Sequence, residues 1–317
     1  MKKGLFNCTI LIHLLCCFAF NASAEQLHFS KKKLTDSYQF NYQWLDHEST
    51  QQTISFTLSK DALFNRFRSF RAYKPEFAEK AIFQAIKKQW QQSPIADILV
   101  NFPQSNIYNG IDIVGSDPQK VQQAYQKLNQ LNEKCTTTYL TENYYQTFTT
   151  HDQITGIKPD HVAIANGSVA DLKVIKPLIL KNVSIKNIRK VTNYVLAFIQ
   201  SIPYSPLESR VSSSGAGFNT PLKLLWENQG DCDSKVTLTA ALLRALMPRI
   251  SMVLVFVDQH AFIGIAIPAV GDEITIEENG VTFVLAEPTG PVLLPLGELA
   301  PSSAQAIYNG HYITQRY

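Results

Sequence analysis

The chain has 317 residues, 45% of them apolar and 17% charged, with 29 Lys and Arg against 26 Asp and Glu. This balance is too apolar for a disordered chain and too mixed for a collagen-like or low-complexity one. The net charge of +3 falls to about +1 once the first 24 residues are set aside, since they hold Lys2 and Lys3 and no acids. A surface so close to neutral lacks the Lys and Arg cover that binds a nucleic-acid backbone, so no nucleic-acid partner is expected.

Lys2 and Lys3 precede an apolar run, Leu5 to Phe20, which ends in Asn21-Ala22-Ser23-Ala24 before Glu25. Charge, apolar run and small-residue site in that order form the pattern of a secretory signal peptide, residues 1–24, with cleavage expected after Ala24. The run is shorter than the ~20 residues that span a bilayer, and Asn7, Thr9 and His13 interrupt it. An uncleaved anchor is therefore the weaker reading, and no stable membrane insertion is expected after cleavage. The simple signal fits export to a bacterial periplasm. Export removes Cys8, Cys16 and Cys17 and leaves Cys135 and Cys232. Two cysteines in an oxidising compartment allow a disulfide, and a regulatory bridge between them stays open at this point.

Tyr38, Phe40, Tyr42 and Trp44 alternate along one face of a predicted strand, and Thr53-Ile-Ser-Phe-Thr-Leu58 alternates again after a polar turn. The two predict an antiparallel hairpin. From Asp61 to about Gln91, Phe64, Phe67, Phe70, Phe77, Ala81 and Ile86 recur near helical spacing, with Pro75 dividing two helices. Asp117-Pro118 opens an amphipathic helix predicted to reach Lys134. Such aromatic stripes read as core. Residues 25–150 are expected to form an N-terminal α+β accessory domain. Residues 151–185, with Gly156, Pro159, Asn166-Gly167 and Pro177, are expected to be a linker holding one short helix.

Beyond it the pattern sharpens. Ile188, Val191, Val195, Phe198 and Ile199 mark one helix face that ends at Pro203, and a Ser- and Gly-rich loop covers Ser205 to Asn219. Leu222, Leu225 and Trp226 make a short helical face before Asn228-Gln-Gly-Asp-Cys-Asp-Ser-Lys235. An apolar-periodic helix starts at Cys232. Met252–Val257, His260–Ile267 and Val281–Ala286 read as strands joined by short turns. One helix followed by such strands predicts an α+β domain with an antiparallel sheet over residues 186–317.

A cysteine at the first turn of a helix has its thiolate favoured by the free N–H groups there, so Cys232 is a candidate nucleophile with a lowered pKa. Gly230 lets the chain turn sharply before it and leaves the Cys232 N–H to face an oxyanion. Among the histidines, His28, His47, His151, His161 and His311 lie in polar or terminal stretches, whereas His260 opens a buried strand. Glu287 closes the next strand and falls opposite His260 on antiparallel neighbours, which allows the hydrogen bond that fixes an imidazole tautomer. Trp226 and Gln229 are the candidates for a second oxyanion donor.

These residues resemble the transglutaminase-like superfamily, a papain-related fold with a Cys-His-acid triad, in an exported prokaryotic form. The resemblance runs from Ile188 to Pro301 and rests on several segments. They are Phe198-Ile-Gln-Ser-Ile-Pro-Tyr204, Thr220-Pro-Leu222, Gly230-Asp-Cys-Asp-Ser-Lys235, Leu238 to Leu246, His260-Ala-Phe262 and Ala286-Glu-Pro-Thr289. Three positions depart from the common pattern: Glu287 stands where most members have Asp, Ser234 where an acid is usual, and Phe262 where Trp is common. The resemblance implies that Cys232 is the nucleophile, His260 the base and acid, and Glu287 the orienting group. It further implies a cysteine peptidase or amidase acting on a protein or a cell-envelope peptide. Cross-linking acyl transfer and a catalytically silent binding or scaffold module are the alternatives. No cofactor or metal is implied, and Asp272, Glu273, Glu277 and Glu278 read as a solvated hairpin rather than a calcium site.

Overall fold

In a computed structural model, residues 24–103, 110–150, 152–208, 217–258 and 260–317 are described. The segment expected to be a signal peptide, up to residue 23, and residues 209–216 of the Ser- and Gly-rich loop lie outside them. The protein is mixed α+β with antiparallel sheets.

The chain opens with a three-stranded sheet, β1 (Gln26–Lys33), β2 (Ser37–Leu45) and β3 (Gln51–Ser59), in that order. The expected hairpin is β2–β3. Strand β1 was hidden by its Ser30-Lys-Lys-Lys33 run, the kind of charged sequence that suits an exposed sheet edge. Phe40, Tyr42, Trp44, Ile54, Phe56 and Leu58 point to one buried face, as the alternation requires.

Two helices follow, α1 (Lys60–Asn65) and α2 (Pro75–Gln92), with Pro75 in the first turn of the second. Short strands β4 (Leu99–Asn101) and β5 (Asp112–Val114) pair before α3 (Pro118–Glu142), whose start is capped by the Asp117 carboxylate accepting from Gln119 N at 2.8 Å. Helix α3 runs past the expected end at Lys134. Its threonines, Thr136 to Thr138, weaken local propensity, but Cys135 and Leu140 keep the apolar face going.

The segment expected as a linker is folded. It contains the hairpin β6 (Tyr145–Thr149) and β7 (Thr155–Pro159), then α4 (His161–Leu172), a 3-10 turn at Lys173–Ile175 and α5 (Lys176–Ile179). Asn166-Gly-Ser168 reads as a turn in sequence, yet here small size is what matters. A Cβ on Gly167 would lie 3.2 Å from the Phe67 ring, and Ser168 Oγ donates to Ile164 O at 2.8 Å within the helix.

Helices α6 (Ile188–Ser201), α7 (Pro221–Glu227) and α8 (Cys232–Leu246) lead into a five-stranded antiparallel sheet. Its strands are β8 (Met252–Val257), β9 (His260–Ile265), β10 (Thr275–Glu278), β11 (Val281–Ala286) and β12 (Ile313–Arg316), ordered β10-β11-β9-β8-β12. Helix α9 (Pro301–Tyr308) precedes the last strand. Every residue of α8 except Asp233 and Arg244 is buried, because α4, α6, α7 and the sheet all pack on it.

The cores redraw the expected division of the chain. Residues from β2, β3 and α1 share one apolar cluster with α4, α6, α7, α8 and the large sheet. Ile86, Trp90, Ala124, Leu128 and Cys135, with their neighbours, form a separate small core between α2 and α3, and Val253, Val255, Phe262, Phe283, Leu285 and Ile307 belong to another along the large sheet and α9. Residues 25–150 are thus not one accessory unit, since their first strands help wall in α8. Among the described residues no helix is long and apolar enough to cross a membrane.

Candidate active site

The turn into α8 is built by side chains around Gly230. Gly230 and Tyr204 form an isolated parallel bridge, in which Ser205 N donates to Gly230 O at 3.1 Å and Gly230 N to Pro203 O at 3.3 Å. Glycine fits closely here, because an added Cβ would lie 2.6 Å from Leu224 Cδ1 and make that side chain shift. Asp231 then caps the helix. Its carboxylate accepts from Ser234 N at 3.1 Å and from Ser234 Oγ, while Ser234 Oγ accepts from Asn219 N at 2.7 Å. The Ser234 hydroxyl thus ties the start of α8 to the Asn219 backbone. Cys232 follows as the first residue of α8, 9% exposed.

His260 opens β9, and its Nε2 lies 2.7 Å from Glu287 Oε1. The two are not directly opposite. Ala286 pairs with Ile263, so one further step sets Glu287 across from Phe262 and makes His260 its diagonal neighbour on the same face. Glu287 is doubly held: Ala300 N donates to Oε2 at 2.9 Å, and Gln200 Nε2 donates to the Glu287 carbonyl at 2.8 Å. Burial opposes ionisation of this carboxyl, but the hydrogen bonds from His260 and Ala300 outweigh it and hold the group below its usual range. The His260 ring stands edge-on to the buried Phe262 ring at 4.8 Å, which fixes its plane.

The thiol departs from the expectation. Burial, and then the Asp233 and Asp231 carboxylates, push Cys232 up to about 12, and the N–H groups at the helix start do not offset them. A helix N-terminus is half a charge or so of favourable field, too little against desolvation beside two acids. A thiolate here needs a proton acceptor close by.

One turn along α8, Lys235 is fully buried and donates through Nζ to the carbonyls of Ile202 and Thr289. Burial lowers it to about 7. These bonds fasten the helix of Cys232 to the segment that follows Glu287. That segment turns at Gly290, whose φ of +67° and close approach to Gln200 O, 2.5 Å from an added Cβ, admit only glycine. A cleft of about 360 Å³ opens beside this cluster, with Gln26, Gln200, Ile202, Tyr204, Lys235 and Pro291 in its walls.

Of the oxyanion candidates, Trp226 is turned away. Its ring packs on Tyr38 at 4.7 Å and Phe64 at 5.1 Å, with Lys31 Nζ 3.8 Å above it, because the first sheet offers an aromatic face there. Gln229 stays in the turn, its carbonyl accepting from Asn219 Nδ2 at 3.2 Å. Cys135 lies in another core, where Gln89 Nε2 meets its sulfur at 3.3 Å, and no disulfide joins it to Cys232. Glu273 is engaged in a two-pronged pair with Arg189, and Glu278 accepts from Thr314 Oγ1 at 2.8 Å.

Sequence reasoning passed over His161, Lys158, Lys235, Gln200 and Ala300. His161 lies 1% exposed at the start of α4, with Nδ1 3.2 Å from Thr237 Oγ1 and Nε2 3.6 Å from Asp233 Oδ2. Asp160-His161 ahead of Val162, Ile164, Ala165, Val169 and Leu172 is a helix-start signal that would have found it. No signal marks Ala300, which acts through its backbone. Comparison of the chain with protein-family models, with curated proteins and with solved structures finds no match, so the chemistry of the site is argued from its own geometry.

Proposed function

We propose that the protein is an exported cysteine hydrolase of transglutaminase-like type with a papain-like core. On this reading it cleaves an amide or peptide bond in a protein or cell-envelope peptide through Cys232, His260 and Glu287. One observation carries the proposal: the 2.7 Å pair of His260 and Glu287, anchored at Ala300 N, stands on a strand packed against the helix that begins at Cys232.

With Nε2 directed to Glu287, Nδ1 is the nitrogen left to serve the thiol. The Cys232 proton passes to Nδ1 as Sγ bonds to the carbonyl carbon, and the carbonyl electrons move to oxygen. The Cys232 N–H at the helix start donates to that oxyanion. Collapse breaks the C–N bond, the amine leaves with the proton from Nδ1, and a thioester remains. His260 then takes a proton from water, whose oxygen displaces sulfur and gives a carboxylic acid and the free thiol. The raised thiol pKa favours this order, a neutral pair whose proton moves during attack, over a resting thiolate. The His260 side chain is 22% exposed, so solvent water reaches the base and hydrolysis is favoured over transfer to an amine.

The test uses the mature protein, Cys232→Ala and His260→Ala. Alkylation by iodoacetamide from pH 5 to 10, followed by intact mass, is expected to give one adduct at Cys232 that forms more slowly in His260→Ala. A peptide mixture is expected to be cleaved only by the wild type, each cut adding one water. Incorporation of an added amine without cleavage would make the protein an acyltransferase. Alkylation unaffected by His260→Ala, with no peptide turned over, would leave it a binding module. Cell fractionation, with an intact mass starting at Glu25, tests export.

A further inference from the structure

Asp233, the residue after Cys232, faces a buried histidine whose proton positions follow from its partners. Thr237 Oγ1 donates its only proton to Asp233 O at 2.7 Å, so towards His161 it acts as an acceptor. The proton on the neutral His161 ring is therefore on Nδ1. Nε2 is then a bare lone pair, buried and without a hydrogen-bond partner, and it looks at Asp233 Oδ2 from 3.6 Å. The ring is clamped between Phe218 and Phe256, each 5.1 Å away centroid to centroid, and cannot turn to find another donor. The Asp233 side chain is 35% exposed, but its Oδ2 faces the buried ring, and an ionised carboxylate would set an acceptor against the Nε2 acceptor, a costly arrangement on the His161 side.

We propose that Asp233 and His161 share one proton in the working protein, so that the carboxyl next to Cys232 is neutral and His161 is a positioning residue for ionisation of the thiol. The inference rests on the Cys232–His260 reading and adds a second layer to it. A proton on Oδ2 turns the acceptor pair into an O–H···N bond. It also removes one of the two negative charges that oppose a thiolate at Cys232. The groups that face Asp233 decide the balance. His161 comes from α4, Lys158 from β7, Tyr204 from the segment after α6, His260 from β9, and Asp231 and Cys232 from its own turn. Lys158 and His260 favour the carboxylate, but burial outweighs both and raises the group. Lys158 lies 3.5 Å over the Phe256 ring and forms no ion pair with Asp233 within 4 Å. Burial also drives His161 itself down to about 3, so the shared proton resides on the carboxyl side.

The experiment is alkylation of Cys232 against pH in the mature protein, read with the infrared carbonyl band of a protonated carboxylic acid. At neutral pH the wild type is expected to show a band component that Asp233→Asn removes, beside the component from Asp231, which titrates at about 7. His161→Phe keeps the ring between its aromatic neighbours and removes the acceptor. It is expected to lose the Asp233 component and to slow alkylation at pH 7.5 by about three- to tenfold, one carboxylate's effect on a neighbouring thiol. Asp233→Asn alone is expected to alkylate like the wild type, and the double variant to recover to within about twofold of it, which a merely structural role for His161 would not produce. Should His161→Phe not fold, Thr237→Val frees Nδ1 to lose its proton to Nε2 and is expected to slow alkylation in the same direction. A band unchanged by Asp233→Asn, or a pH profile unmoved by both His161→Phe and Thr237→Val, would overturn the proposal. Failure of the triad reading looks different: alkylation indifferent to His260→Ala, with the infrared band still present.

Discussion

The surroundings of Cys135 and Cys232 contrast two regions of the molecule. Cys135 sits midway along α3 among Ile86, Trp90, Ala124 and Leu128, a plain apolar interface whose ion pair, Lys120 with Asp97, lies outside on the surface. Cys232 sits in a region where Asn219, Ser234, Lys235, Thr237, His161, Gln200 and Glu287 are all nearly or fully buried. Burying so many polar groups costs stability unless each is bonded. The first core only has to hold two helices together, whereas the second holds polar side chains at fixed positions against that cost. The difference marks the candidate site better than the thiols themselves do, since burial raises both of them.

The sharpest way to break this contrast is to exchange the roles of the thiols. Cys232→Ala is expected to abolish alkylation and peptide turnover, while Cys135→Ala leaves both intact and costs only about 1 kcal/mol in urea denaturation. Next in size, Glu287→Gln leaves His260 without its anionic partner, and kcat/KM on a cleaved peptide is expected to fall by roughly 10²–10⁴-fold with the fold retained on circular dichroism. Third, Lys235→Ala strands the Ile202 and Thr289 carbonyls, and a loss of about 2–4 kcal/mol is expected in urea. Lys120→Ala, at the exposed pair, is expected to leave the urea midpoint unchanged.

Two buried groups make the contrast depend on pH. His161 falls from 6.5 unfolded to about 3 folded, so the unfolded chain binds more protons between those values and this group's stability is lost as pH drops from about 6.5 to 3. Asp231 rises from 3.8 to about 7, so it acts in reverse, and its contribution is lost as pH rises from about 4 to 7. The two oppose each other in the shared window. Denaturation midpoints at pH 4, 5, 6 and 7 are expected to fall with rising pH in His161→Phe and to fall with acidification in Asp231→Asn, each relative to the wild type.

Much of the site could be read in the sequence because its parts are local. Cys232 stands at a capped helix start, His260 at a strand start and Glu287 at a strand end, and each position follows from hydrophobic periodicity. The diagonal register of His260 and Glu287 could not be read, since it depends on where β9 and β11 pair. Nor could the inward aim of Lys235, because lysine at the fourth position of a helix looks solvated until three elements close over it. Trp226 misled for a related reason: nearness in sequence to Cys232 says nothing of which face its ring takes, and β1–β3 supplied a better partner. Residues 151–185 were misread because Gly and Asn in a helix look like turn residues, whereas the Phe67 ring shows that close approach is the reason for Gly167.

Strand β12 has a consequence outside chemistry. It pairs with β8 from Ile313 opposite Phe256 to Arg316 opposite Val253, and so covers the hydrogen-bonding rim of Met252-Val-Leu-Val-Phe-Val257. The other rim of the sheet is the short β10, which carries Glu277 and Glu278. A bare β8 would be an apolar, β-branched template on which a second molecule could add strand to strand. The final residues therefore act as a guard against polymerisation, and cutting the chain before Ile313 would be felt in solubility sooner than in the active site.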